Sequence, residues 1–361
     1  MTKVAARAMR GPEDTFETML IDRRELGPED IYIEIAYAGI CHSDVHHARA
    51  DWGHTMYPIV PGHEIAGVVT AVGSAVTKFA IGDRAGIGCM VDSCRKCDYC
   101  RAGLEQYCRE GHVLAYNMID REGRRTFGGY SESIVVDQAF AVKIPGNIPL
   151  EQAAPLMCGG ITLYSPLRHW SAGPGKRVGI IGFGGLGHIG TQISSALGAH
   201  TIVFNLNPAA REDALRLGAD EFRTTTEPNA FDGLEGSLDL IISTVPAKLD
   251  LDAYLRLLDV DGTFVNLGVP VEPLSIVPHS LLINRRSIAG SSIGGIAETQ
   301  EMIDFCAAKG IGAQVEVIDA NSIDDAYDRL SRGDVRYRFV IDTSTIRANA
   351  ETPVIAEHAA I

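Results

Sequence analysis

Apolar residues over positions 1–150 come in short alternating runs broken by glycine: IYIEIAYAG from Ile31, IAGVVTAVG from Ile65 and SESIVVD from Ser131. A period of two with glycine between the runs predicts the strands of a β-rich domain. From Lys176 the texture changes. The apolar run RVGIIG leads into a glycine turn and the helical stretch GGLGHIGTQISSALG, and further apolar runs follow as HTIVFN, LDLIISTV, GTFVNLG and SIAGSS. Alternation of strand and helix predicts a doubly wound parallel sheet, so the fold class is α/β. ETQEMIDFCAAKG reads as a helix after the last of these strands, and the domain change falls near Gly294 to Ala297. VRYRFVID is again a strand. If it pairs back into the first domain, the sheet domain is an insertion: 1–158 and 297–361 form one domain and 159–296 the other. The polar tail from Thr343 is expected to be extended, or to lie as an arm on a partner subunit.

A chain of 361 residues, 46% of them hydrophobic, is ample for two buried cores. Its 32 basic and 46 acidic residues leave a net charge of −14, which argues against a general nucleic-acid or anionic-membrane binder but not against a local phosphate pocket. The N-terminus, MTKVAARAMRGPED, lacks the apolar core of a signal peptide, and no run approaches the roughly 20 apolar residues that span a bilayer. A cytoplasmic protein is expected. In such a chain eight cysteines point to metal ligation rather than disulfides.

Cys94, Cys97, Cys100 and Cys108 follow the pattern C-x2-C-x2-C-x7-C. Four thiolates so close along the chain can close a tetrahedral zinc site unaided, and four sulfur ligands leave no open position. That site is structural, so the chemistry has to come from elsewhere. Cys89 and Cys306 are left over and read as buried thiols.

Gly182, Gly184 and Gly187 match G-x-G-x-x-G, with Gly185 and Leu186 filling the variable places. The apolar strand Val178 to Ile181 ends at Gly182 and an apolar-periodic helix follows, which is the setting a dinucleotide pyrophosphate requires. At the end of the next strand an NAD site would carry a carboxylate for the ribose hydroxyls. VFNLNPAAR has none: Asn205 stands there, with Asn207 and Arg211 close behind. Neutral donors and a cation favour the 2′-phosphate of NADP(H), although Arg211 also reads as a solvated residue on the next helix.

A second metal set is spread more widely. GICHSDVHH and PGHE offer Cys41, His63 and Glu64, and Cys158 in LMCGG is a distant third strong ligand. Three ligands leave one position open, the arrangement of a catalytic zinc that binds an alcohol or aldehyde oxygen beside a nicotinamide. Trp52 and Tyr57 read either as walls of an apolar pocket or as core residues.

With GICHSD, VPGHE, GDRAGIGCMVDSC and IIGFGGLGH quoted together, the chain resembles the zinc-dependent medium-chain alcohol dehydrogenases, in their cinnamyl-alcohol-dehydrogenase-like, NADP-preferring branch. The resemblance runs from about Val4 to Asp342. It implies a GroES-like catalytic domain plus a Rossmann domain, two zinc ions per chain and NADP(H). The catalytic zinc falls on Cys41, His63 and Cys158, with Glu64 beside it as transient ligand or neighbouring anion, and the structural zinc falls on the cysteine cluster. Ser43 matches the hydroxyl that starts a proton relay, His46 the histidine at its solvent end, and Asp44 the carboxylate that orients the zinc-bound histidine. Without the resemblance His46 and His47 rank evenly. The branch usually carries small hydroxyl residues where this chain has Asn205 and Asn207. The resemblance also implies a homodimer paired through the nucleotide-binding sheets.

The leading expectation is a reversible alcohol dehydrogenase or aldehyde reductase acting on small primary alcohols or aldehydes, aromatic or medium aliphatic. An NAD-linked polyol or secondary-alcohol dehydrogenase is the alternative within the superfamily, and a noncatalytic nucleotide-sensing zinc protein the alternative outside it.

Overall fold

The computed structural model describes residues 2–270, 272–349 and 351–355. Two compact units emerge, one holding the chain up to Cys158 and again from Gly294, the other Gly159–Ile293.

In the first unit the strand Asp30–Gly39 is the hub. It pairs antiparallel with Ile65–Val72, Ser133–Asp137 and Arg338–Asp342. The sheet continues through Arg84–Ile87 to Val142–Lys143 on one side, and through Arg338–Asp342 to Val315–Asp319 on the other. Alternation in the sequence becomes alternation in burial: Ile31, Ile33 and Ile35 face inward while Glu34 is exposed. Each such isoleucine contributes about 1.5–3 kcal/mol by leaving water. The strand read from VRYRFVID joins the hub, with Val340 opposite Gly39 and Ile341 opposite Ala38.

Thr2–Ala8 and Glu17–Arg23 form an antiparallel hairpin, whose Ala5, Ala6 and Ala8 lie in the core with Phe16, Tyr130 and Phe339. The described part of the tail packs on its own chain. Leu20 N–H donates to the Pro353 carbonyl at 2.7 Å, and Ile355 N–H donates to the Leu20 carbonyl at 2.8 Å. Ile355 is buried in the same core, so the tail extends its own chain's hairpin, while residues 356–361 fall outside the described residues.

The second unit is a six-stranded parallel sheet in the order Glu221–Thr224, His200–Asn205, Arg177–Ile181, Leu238–Ser243, Leu258–Asn266, Ser287–Gly290. Val178, Ile180, Ile202, Val203, Ile241 and Ile242 are fully buried, as near-continuous apolar strands covered on both faces should be. Arg177–Ile181 comes first in sequence, and successive strands leave it in both directions. Its carboxyl end is therefore a topological switch point, where ligands of such sheets bind. The glycine loop sits there. Among the described residues no helix is long and apolar enough to cross a membrane.

Candidate active site

One buried carboxylate organises the reactive group of residues. Cys41 is the N-cap of the helix His42–Ala48, and Asp44, the third residue of that helix, accepts the Cys41 N–H at 2.9 Å to close a capping box. Its other oxygen accepts the Gly62 N–H at 3.1 Å and faces His63 Nδ1 at 3.0 Å. Asp44 is fully buried, so it ties the two loops that carry Cys41 and His63. With a carboxylate on Nδ1 the proton belongs there, and Nε2 is free to ligate.

Nε2 of His63 points at Cys158 Sγ, 3.2 Å away. Ligand atoms of Cys41, His63, Glu64 and Cys158 all lie within 4.8 Å of one another. A tetrahedral zinc with bonds of about 2.0 Å to nitrogen and about 2.3 Å to sulfur separates those two ligands by about 3.5 Å, close to what His63 and Cys158 show. Glu64 supplies a second sign of fit. One carboxylate oxygen is bound by the Arg338 guanidinium, the other is buried and lacks a partner among the described residues. Burial raises the Glu64 carboxyl above the usual carboxylate range, and the Arg338 cation draws it back down. Gly39 makes the space for it, because a Cβ there would sit 2.1 Å from that unpartnered oxygen. The donor set therefore suits a divalent zinc.

Ser43 and His46, three apart, share a face of the helix that follows Cys41. Ser43 Oγ lies 3.7 Å from Cys41 Sγ, and His46 Nδ1 faces Asp51 Oδ2 at 2.8 Å. His46 also stacks on Trp52, with 4.9 Å between ring centres. Trp52 is 46% exposed and so is no core residue, while Tyr57 packs against the core and donates its hydroxyl to the Ala48 carbonyl. His47 has a different setting: its Nδ1 accepts from Asn117 Nδ2 at 3.1 Å, and its ring lies edge-on to Tyr116.

The cysteine cluster folds as its spacing requires. Cys94 Sγ lies 3.8 Å from Cys100 Sγ, the edge of a tetrahedron with zinc–sulfur bonds of about 2.3 Å. Backbone N–H groups turn toward the sulfurs: Cys94 N–H donates to Cys108, Cys97 N–H to Cys94 and Cys100 N–H to Cys97. N–H groups of Arg109 and Cys100 draw the Cys97 thiol down to about 6, whereas burial pushes Cys100 up to about 12. Metal binding removes that inequality, since a coordinated thiol is deprotonated outright.

In the second unit Gly182 has φ +88°, and a Cβ at Gly187 would sit 1.8 Å from the Gly182 carbonyl oxygen. Only glycine closes this turn. Gly184 is exposed with open space where its Cβ would be, Gly185 and Leu186 are half-buried, and Gly187 starts the helix Gly187–Ala196. The positive end of that helix suits a pyrophosphate. Asn205 Oδ1 accepts the Phe183 N–H at 3.2 Å and so ties the next strand to this loop. Asn207 caps the turn Pro208–Ala210 by accepting the Ala209 N–H at 3.0 Å. Arg211 is exposed, lies over the Phe222 ring and donates to the Phe222 carbonyl at 3.2 Å, so it leans on the edge strand.

Comparison with known proteins agrees with this layout. Residues 27–146 match the model of the alcohol dehydrogenase GroES-like domain, and residues 185–308 that of the zinc-binding dehydrogenases. NADP-dependent alcohol dehydrogenase C of Mycobacterium tuberculosis is 54% identical over 346 residues, covering 96% of this chain and 100% of the relative. The chain belongs to the zinc-binding alcohol dehydrogenase family. Aldehyde reductase YahK of Escherichia coli is 49% identical over 95% of this dehydrogenase and 99% of its own length. The solved structure of a cinnamyl alcohol dehydrogenase from Helicobacter pylori, complexed with NADP(H), superimposes with a TM-score of 0.89 at 40% identity, covering 96% of this chain and 99% of that one. The dehydrogenase thus has a GroES-like domain and a Rossmann domain.

Sequence reasoning missed two residues of this site. Arg338 is 3% exposed and pairs with Glu64 across 274 positions, held positive by Glu64, Cys41 and Cys158 although burial opposes its charge. Tyr130 is fully buried, with its hydroxyl 3.4 Å from Asp44. Removing the cation alone strands a buried carboxylate. Arg338→Met is expected to lower the dehydrogenase's stability by about 3–5 kcal/mol in denaturant unfolding, and an unchanged midpoint would contradict the pairing.

Proposed function

We propose that this dehydrogenase is a two-zinc enzyme that transfers hydride reversibly between NADP(H) and primary alcohols or aldehydes, working mainly as an aldehyde reductase. The carrying observation is the convergence of Cys41, His63 and Cys158 beside an unpartnered Glu64 oxygen, three strong ligands and a fourth place open to substrate. When bound, zinc held there supplies a Lewis acid for the substrate oxygen, and NADP(H) supplies or accepts the hydride.

The chain's own residues do the rest. Asp44 holds the Nδ1 proton of His63 and fixes the ring. Ser43 Oγ hydrogen-bonds the substrate oxygen and hands its proton inward or outward. His46, hydrogen-bonded to Asp51 and stacked on the exposed Trp52, exchanges that proton with solvent. Glu64, anchored by Arg338, stays beside the ligand set as a transient ligand. Cys94, Cys97, Cys100 and Cys108 hold the structural zinc.

Gly182, Gly184, Gly185, Leu186 and Gly187 form the pyrophosphate cradle, and Asn205, Asn207 and Arg211 receive the 2′-phosphate. Absence of a carboxylate at the end of His200–Asn205 supports NADP(H), as do the NADP-dependent naming of the Mycobacterium tuberculosis relative and the NADP(H) in the Helicobacter pylori structure. Arg211→Ala is expected to cost NADPH about tenfold in kcat/KM and to leave NADH unchanged, because only the phosphate meets the guanidinium. Equal losses for both cofactors would move the phosphate contact elsewhere. An enzyme faster with NADH would point to the NAD-linked polyol or secondary-alcohol reading.

Substrates are small aromatic or medium aliphatic aldehydes; an aldehyde reductase and a cinnamyl alcohol dehydrogenase among the relatives support the aldehyde and its aromatic form. The dehydrogenase works as a cytoplasmic homodimer through its Rossmann sheet. Ser287–Gly290 is an edge strand of that sheet, and Val277, Leu282, Ile283 and Ile288 in the same region are exposed, an apolar edge of the kind a second copy would cover.

A further inference from the structure

The zinc reading uses six of the eight cysteines. Cys306 is fully buried, with its sulfur 3.7 Å from that of Met302. Cys89 remains. It is outside the group formed by Cys41, His63, Glu64 and Cys158, yet its thiol is close enough to that of Cys158 for each to act on the other. The backbone brings this about: Gly88 lies so close to Met157 that a Cβ there would be 2.7 Å from the Met157 carbonyl oxygen. The next residue on each of these adjacent segments is a cysteine, Cys89 on one and Cys158 on the other. Cys89 is anchored through its carbonyl, which accepts the Ala115 N–H at 2.9 Å.

The two thiols differ in access. Cys158 is 8% exposed and its neighbour Cys41 6%, whereas Cys89 is half-buried as a residue. As the least buried residue of the three, Cys89 is the one a small oxidant is expected to reach first.

We propose that Cys89 and Cys158 are an oxidation-sensitive pair, which hydrogen peroxide or a related hydroperoxide converts to a disulfide that disables the catalytic metal site. Cys89 sulfur attacks one peroxide oxygen and breaks the O–O bond, and the thiol proton leaves with the departing hydroxide as water. The Cys89 sulfenic acid so formed is attacked by Cys158 sulfur, which displaces hydroxide; the proton that completes the second water comes from the Cys158 thiol in the metal-free protein, and from solvent where Cys158 is a zinc-bound thiolate. Two thiols give up two electrons and two protons, and one peroxide becomes two waters. Cys158 in a disulfide offers no thiolate, so the ligand set falls to Cys41, His63 and Glu64. A dithiol reductant reverses the bond. The loss of metal rests on Cys158 being a zinc ligand, as proposed above; formation of the disulfide does not.

Limiting hydrogen peroxide applied to the zinc-loaded enzyme tests this, with disulfides mapped by mass spectrometry without reduction and released zinc followed by a chromophoric chelator. The Cys89–Cys158 link is expected to appear in step with zinc release and loss of aldehyde reduction, and dithiothreitol with added zinc to restore both. Cys89→Ser and Cys89→Ala are expected to start at the unmodified activity and to lose it about tenfold more slowly. A link between Cys41 and Cys158 in place of Cys89–Cys158, or unchanged inactivation rates in both Cys89 variants, would overturn the proposal. If the link forms without release of zinc, the pair stands and the ligand role of Cys158 fails.

Discussion

Cys158→Ser is expected to lower kcat/KM for aldehyde reduction by about a thousandfold or more while the fold persists. Serine is nearly isosteric, but its hydroxyl does not ionise at neutral pH and is a poor partner for zinc. The remaining set, Cys41 and His63 with the carboxylate of Glu64, gives up a thiolate, and zinc content is expected to fall from about two ions per chain to about one. Polarisation of the substrate oxygen is worth several kcal/mol, and about 4 kcal/mol of lost transition-state stabilisation is about a thousandfold in rate. Cys158 stands at the end of the short turn Ala154–Met157 and caps no sheet, so little else depends on its sulfur. Parallel metal analysis and kinetics check this. Full activity in a variant holding a single zinc would remove Cys158 from the chemistry.

Cys100→Ser acts on stability first. The lobe around Cys94 to Cys108 has little regular structure, a four-residue helix at Asp98–Arg101 and a three-residue turn at Glu105–Tyr107. Its aromatic residues Tyr99 and Tyr107 are exposed, so it buries almost no apolar side chain of its own. Ion pairs such as Arg109 with Asp98 lie in solvent and contribute little. Metal therefore supplies most of the ordering energy, and losing one thiolate is expected to cost several kcal/mol and to lower the midpoint of thermal unfolding by roughly 10 °C. Activity should fall afterwards, as the lobe loosens. Calorimetry with zinc analysis checks the order of events, and an unshifted midpoint after loss of one zinc would refute a structural role for the cluster.

What was legible in the sequence was what local spacing encodes. Cys94, Cys97, Cys100 and Cys108 are neighbours along the chain, so spacing alone announces a ligand set, and their sulfurs do form one group. Gly182 to Gly187 announce a phosphate loop because a strand ends before them and a helix begins within them. Arg338 carried no such signal: it sits in an ordinary strand, and its bond to Glu64 appears only when distant strands come together. Cys89 was invisible as a neighbour of Cys158 for the same reason. The N-terminal hairpin was missed because TKVAARA has weak alternation and small side chains, and its burial is decided by Phe16, Tyr327 and the tail packing on it. Periodicity reports the face an element buries, not the partner it buries against.

The most direct test of the central claim is NADPH oxidation driven by an aldehyde panel, run on the zinc-loaded enzyme and on enzyme stripped by a chelator. The account predicts turnover of aromatic or medium aliphatic aldehydes that exceeds the rate with NADH, vanishes on stripping and returns with added zinc. Aldehyde reduction that survives removal of zinc, or its absence with both cofactors across the panel, would contradict it.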